Sequence, residues 1–202
     1  LAIDNAQGRA VLQTMRDMVQ YMHPDYLTYD ATALQQVYDA GEVAIMNEWG
    51  SVASAILDPK NATAEIIDNT VLAAAPTIGG GTIPAAALWW DGFTIAKNIS
   101  DADAGASFVA MVHGISPDVV KANAAVATWL VKGYEPTPAA VGVIANANGG
   151  ARAYPMQPYM GLLHTALSTE LAEFVQGTED ADQALADVKA AYEAAAKEGG
   201  FL

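Results

Sequence analysis

The chain has 202 residues, 52% of them hydrophobic, enough to bury a sizeable core as one large or two small domains and too apolar for a disordered segment. Its 23 acidic against 9 basic residues give a formal net charge of -14, which argues against a nucleic-acid backbone or an anionic membrane as partner. With no cysteine, disulfides, zinc-cysteine sites and thiol chemistry are excluded.

The first apolar stripe, Val11, Leu12, Met15, Met18, Val19 and Met22, has helical spacing. It begins after the capping candidates Asp4 and Asn5 and stops at His23-Pro24. The chain before it opens Leu1-Ala2-Ile3-Asp4, without an initiator methionine, a basic segment or an apolar segment, which reads as a removed signal peptide or a fragment. Asp30 can cap a second helix with Leu34, Val37 and Tyr38 on one face and Gly41 as its stop. Residues 42–47 form a compact apolar run read as a buried strand, with Glu48 and Trp49 at its carboxyl end, where open α/β sheets build their ligand sites. A helix is expected over residues 51–57, and residues 71–75 read as another buried strand, ended by Pro76.

Gly79-Gly80-Gly81 lacks the lysine and serine or threonine of a phosphate loop, so a turn or hinge is expected there. Residues 88–100 follow: two adjacent tryptophans, Asp91, Gly92, a short apolar strand and the helix cap Ser100. Neighbouring strand residues point to opposite faces, so one indole is expected in the core and the other, Trp90, in a cleft. Trp90 beside Asp91 would offer a flat apolar face and a hydrogen-bond acceptor, and Gly92 would let backbone or ligand come close. Ser100 starts a helix over residues 101–113 with Phe108, Met111 and Val112 as its buried side, and Pro117 starts another that runs toward a core Trp129.

Residues 133–138 break the pattern, and residues 146–155 form a loop carrying a lone Arg152 that suits a carboxylate or a sugar hydroxyl. Tyr159 sits at the start of a helix through Leu167, where it is a candidate contact. The last helix carries Leu185, Val188 and Tyr192 as its stripe and stops at Gly199-Gly200. No two of His23, His113 and His164 are at metal-ligand spacing, no Gly-x-Ser-x-Gly elbow occurs, and no cofactor motif is found.

Three segments together resemble family 1 extracellular solute-binding proteins of ATP-binding-cassette (ABC) importers, the group that includes maltose-binding protein. Residues 38–49 resemble their helix, glycine, strand and tryptophan; residues 90–100 with the following helix resemble a later strand and helix; Gly177 through Ala184-Leu185 is similar to their final helix. The likeness covers the C-terminal half of such a protein. It implies a helix-rich α/β chain of the periplasmic-binding-protein-like type II class, a partial two-lobe fold. Residues 1–75 and 137–202 would belong to the C-terminal lobe, and residues 76–136 to the hinge crossing and the N-terminal lobe. It also implies a carbohydrate held in an interlobe cleft by stacking on Trp49 and Trp90 and by contacts from Glu48, Asp91, Gly92, Arg152 and Tyr159. The implied partner is a membrane permease, and the implied place is the periplasm or cell surface. The implied protein is a monomer when complete, not an enzyme, with neither metal nor cofactor. The same aromatic and acidic residues leave open a polyamine or other cationic solute, or a carbohydrate hydrolase using Asp91 and Glu48.

Overall fold

The computed structural model describes residues 1–89 and 91–202. In chain order its elements are α1 (Ala6–Met18), α2 (Ala31–Asp39), α3 (Ala53–Ile56), α4 (Ala64–Asn69), β1 (Ala87–Leu88), α5 (Asp101–Gly114), α6 (Pro117–Ala122), α7 (Val141–Asn148), β2 (Arg152–Ala153), α8 (Met160–Glu170), α9 (Ala172–Gln176) and α10 (Ala181–Glu198). The chain is 51% helical and its described strands are two residues long, so the class is helix-rich and α-dominated. It divides into two compact units, Leu1–Tyr29 with Pro155–Leu202, and Asp30–Tyr154. The lobe limits near residues 75 and 137 implied by the resemblance both fall inside the second unit.

The first unit is a helical assembly around α10. Asp180 caps this helix by accepting the Asp182 and Gln183 backbone N–H groups. Ala184, Leu185, Val188, Tyr192 and Ala196 then lie buried along one stripe, which includes the three residues expected from spacing. Small side chains at Ala166 on α8 and Ala196 on α10 let these helices approach closely around Val188. On another side Leu12, Phe174, Val175, Ala184 and Leu185 form a cluster. The α1 stripe turns only partly inward. Leu12 is buried and Met15 and Val19 pack on it, whereas Val11, Met18 and Met22 are exposed. Asn5 caps α1 by accepting the Gly8 N–H at 2.9 Å, as its position predicted.

Glu179, just before α10, has its carboxyl raised above the ordinary value of 4.5, first by partial burial and then by a hydrogen bond to Asp187. The fold therefore favours the protonated acid. Its stabilising share is full below the unfolded value and is lost as pH rises through the raised folded value. Glu179→Gln keeps a donor toward Asp187 without the charge, so its melting temperature should fall less steeply over that window. Equal slopes for the two proteins in a pH series of thermal melts would disprove the assignment.

The second unit departs from the expected sheet. Residues 42–47 and 71–75 are irregular, as is the chain after Gly92, and Ile45, Val71 and Phe93 are exposed. The physical reason is pairing: an apolar run becomes a strand only when neighbours take its N–H and C=O groups, and no neighbouring strand is present for these runs among the described residues. The backbone N–H of Ala75 is taken instead by the Asn146 side chain at 2.8 Å. Local signals fare better. Asp30 caps α2, Gly41 at φ 75° ends it, and Ser100 caps α5. The glycine triplet forms a turn closed by the Gly81 N–H on the Ile78 carbonyl. Trp129, expected in the core, is only half-buried, because α6 stops at Ala122 well short of it.

Candidate functional site

The feature of the second unit best suited to a ligand is, among the described residues, a row of three aromatic rings. Residues β1 and β2 pair in parallel, Ala87 with Arg152 and Leu88 with Ala153, and the Tyr154 N–H donates to the Leu88 carbonyl at 2.9 Å. The next residues in that register are Trp89 and Tyr154. Their rings stack with centroids 3.9 Å apart and planes 21° from parallel. Trp49 meets Trp89 edge to face, at 5.3 Å and 81°. Such contacts align rings through their quadrupoles, and the row is not sealed off: Trp49 is 53% and Trp89 41% exposed.

Local sequence explains how each part arrives. Gly149-Gly150 closes α7 with Gly150 at φ 79°, and the Ala151 N–H bonds back to the Asn146 carbonyl, turning the chain into β2. Glu48 is half-buried, and its Oε1 accepts the Trp49 backbone N–H at 2.7 Å, placing a carboxylate at the base of that ring. After Trp49 comes Gly50, where an added Cβ would overlap Cγ2 of Val143 on α7. Gly50→Ala should therefore cost about 1–3 kcal/mol by overpacking. It should also change tryptophan fluorescence, and Val143→Ala in the same chain should restore both. Failure of that second change to restore them would show that Gly50 does not govern the approach of α7.

Of the expected site residues, the structure gathers Glu48, Trp49 and Arg152 around β1 and β2, with exposed Arg152 on β2 itself. Asp91 and Gly92 are exposed in irregular chain, and no described residue lies where a side chain at Gly92 would meet it. Trp90 lies outside the described residues. Tyr159 belongs to the first unit, where its ring meets Phe201 edge to face at 6.3 Å. Sequence reasoning missed Trp89 and Tyr154. Trp89 was the expected core ring, but its strand ends at Leu88 and pairing with β2 turns it onto Tyr154 instead. The signal present in sequence was an aromatic directly after Ala87-Leu88 and another directly after Arg152-Ala153.

A cavity of about 250 Å³ between α2 and α4 is lined by Tyr38, Val43, Ile66 and Thr70. Its hydroxyls are already engaged, Tyr38 with Thr70 at 3.0 Å and Thr70 with the Ile66 carbonyl. Among the described residues no group of three His, Asp or Glu side chains is placed to hold a metal ion. No described helix is long and apolar enough to cross a membrane. Neither the known protein-family models nor the curated proteins include a match to this sequence.

Proposed function

We propose that the chain acts as the solute-binding component of an ABC importer, holding a carbohydrate on its aromatic row and passing it to a membrane permease. The observation that supports this reading is the row Trp49, Trp89 and Tyr154, its two indoles exposed, with the Glu48 carboxylate held on the Trp49 backbone N–H and Arg152 on the strand that leads into Tyr154. A pyranose presents a CH-rich face that packs on an aromatic ring, and a rim of hydroxyls that carboxylate and guanidinium groups bind. Binding of this kind needs no nucleophile, so the reading is of a receptor and not an enzyme. The type II binding-protein fold, with this chain as its C-terminal part, and a periplasmic or cell-surface location belong to the same proposal. The carboxylate at the base of Trp49 favours a second reading, a cationic solute held by cation-π contact.

The experiment is a thermal-shift screen of the chain and of Trp49→Ala against neutral sugars, sugar alcohols and polyamines. A ligand that binds the folded state alone raises the melting temperature by mass action. A neutral sugar should raise it in the parent and leave Trp49→Ala unmoved. A shift by polyamines alone, weakened by salt, would replace the sugar reading with the cationic one. Silence from all of them, or an undiminished shift in Trp49→Ala, would remove the row as a solute site.

A further inference from the structure

Helices α2 and α4 both end on one cavity of about 250 Å³. Tyr38 in the last turn of α2 lines it, with Ile66, Asn69 and Thr70 from the end of α4 and Val43 as a further apolar wall. Tyr38, Val43, Ile66 and Thr70 are half-buried and Asn69 is exposed, so the cavity is reachable from solvent. A cavity of about 150 Å³ is enough for benzene, and this one has room for a ring with a short tail.

Its hydrogen bonds run in one direction. The Ile66 carbonyl can only accept, so the Thr70 hydroxyl gives it its single hydrogen, at 2.7 Å. Tyr38 must then donate to Thr70 Oγ1, at 3.0 Å, and its own oxygen is left as an acceptor with no hydrogen to offer. Asn69 donates through Nδ2 to the Glu65 carbonyl at 2.7 Å, and its Oδ1 meets no donor among the described residues. The backbone adds to this. Both helix ends at the cavity are C-terminal, where peptide dipoles gather negative charge, and neither last turn holds a basic residue. Beside Tyr38 in the chain, Asp39 keeps a buried Oδ1 without a hydrogen-bond partner among the described residues, which strengthens the pull on a cation at that helix end.

We propose that this cavity is a second ligand site, for a small primary amine. Its ammonium group donates to Tyr38 Oη and Asn69 Oδ1, and its apolar body, about one aromatic ring in size, rests on Val43 and Ile66. Chemistry selects the amine. An alcohol has one hydrogen for two acceptors, and a carboxylate has none and meets two negative helix ends, whereas an ammonium group has three hydrogens and the matching charge. A purely apolar cover from another stretch of protein would leave both acceptors buried without donors. The net charge of -14 also draws cations toward the chain. The proposal is independent of the solute that the aromatic row takes.

Titration of the isotope-labelled chain with phenethylamine, followed by amide NMR shifts, tests it, with phenethyl alcohol and phenylacetate as neutral and anionic counterparts. The amine should give saturable shifts centred on residues 38–44 and 66–70. The alcohol should bind about tenfold more weakly, and phenylacetate should give no shift there. Tyr38→Phe keeps the ring and the Thr70 bond to Ile66 but removes the acceptor, and should weaken the amine about tenfold. Asn69→Ala, at an exposed position, should weaken it as well, with an unchanged circular-dichroism spectrum. Equal binding of amine and alcohol, shifts confined to Trp49 and Trp89, shifts spread over acidic residues without saturation, or an affinity undiminished in both variants would each overturn the proposal.

Discussion

Replacing Phe174 by alanine is expected to lower the stability of the first unit by about 3–5 kcal/mol, enough to shift its melting by about 15 °C or more. Phe174 is 3% exposed and packs in the cluster with Leu12, Val175, Ala184 and Leu185, which joins α1, α9 and α10. Truncation removes the ring and leaves a cavity that helices held at several points cannot close. A second loss is specific to this site. The Arg16 guanidinium lies 4.6 Å from the ring centroid while one of its nitrogens donates to the Glu179 carbonyl at 3.0 Å, so the ring is one wall of a partly buried cation site. Phe174→Leu, which fills most of the volume but offers no π face, should recover most but not all of the stability. Chemical denaturation followed by far-UV circular dichroism measures both variants. A cost below about 1 kcal/mol for the alanine would mean that the cluster does not govern this unit.

Replacing Trp89 by alanine should weaken sugar binding by about 10- to 100-fold, the worth of one well-packed aromatic contact with a ligand and of the alignment it gives its neighbours. Tyr154 stacks on the face of Trp89 and Trp49 meets it in a T-shaped contact, so its loss removes an aligning contact from each. Stability should change far less, because the ring is 41% exposed and belongs to neither core cluster. Affinity and stability thus part company, in contrast to Phe174→Ala, where only stability moves. Isothermal titration with the sugar found by the screen, on Trp89→Ala and Trp89→Phe, measures the effect. An affinity unchanged by the alanine would show that the row is a packing feature of β1 and β2.

Much of the local architecture was legible from the residues. Asn5, Asp30 and Ser100 cap helices because a side-chain oxygen three residues before a backbone N–H needs nothing from the rest of the chain. Gly41 and Gly177, both at positive φ, end helices for an equally local reason. The stripe of α10 was legible too, since five buried positions at helical spacing leave one way to fold. The opposite holds for α5, where Phe108 and Val112, expected inside, are 60% and 48% exposed: an apolar composition on several sides made the spacing ambiguous and the outward face was set by contacts elsewhere.

The site was legible in part. Glu48, Trp49 and Arg152 stand out as residue types, but their grouping with Trp89 and Tyr154 depends on a parallel register between segments more than sixty residues apart. Sequence by itself determined the starts of α1, α2, α5, α6 and α10, the glycine turn and the exclusion of thiol chemistry, because these depend on bonds and spacings within a few residues, whereas α4, α7 and α9 and the early end of α6 were not legible. The tertiary structure alone decided that the apolar runs at residues 42–47 and 71–75 take no strand partner among the described residues, that α5 shows its apolar face, and that Trp89 lies on Tyr154. Pairing, burial and stacking each require a partner distant in the chain, and a residue's own neighbours carry no record of which partner it meets.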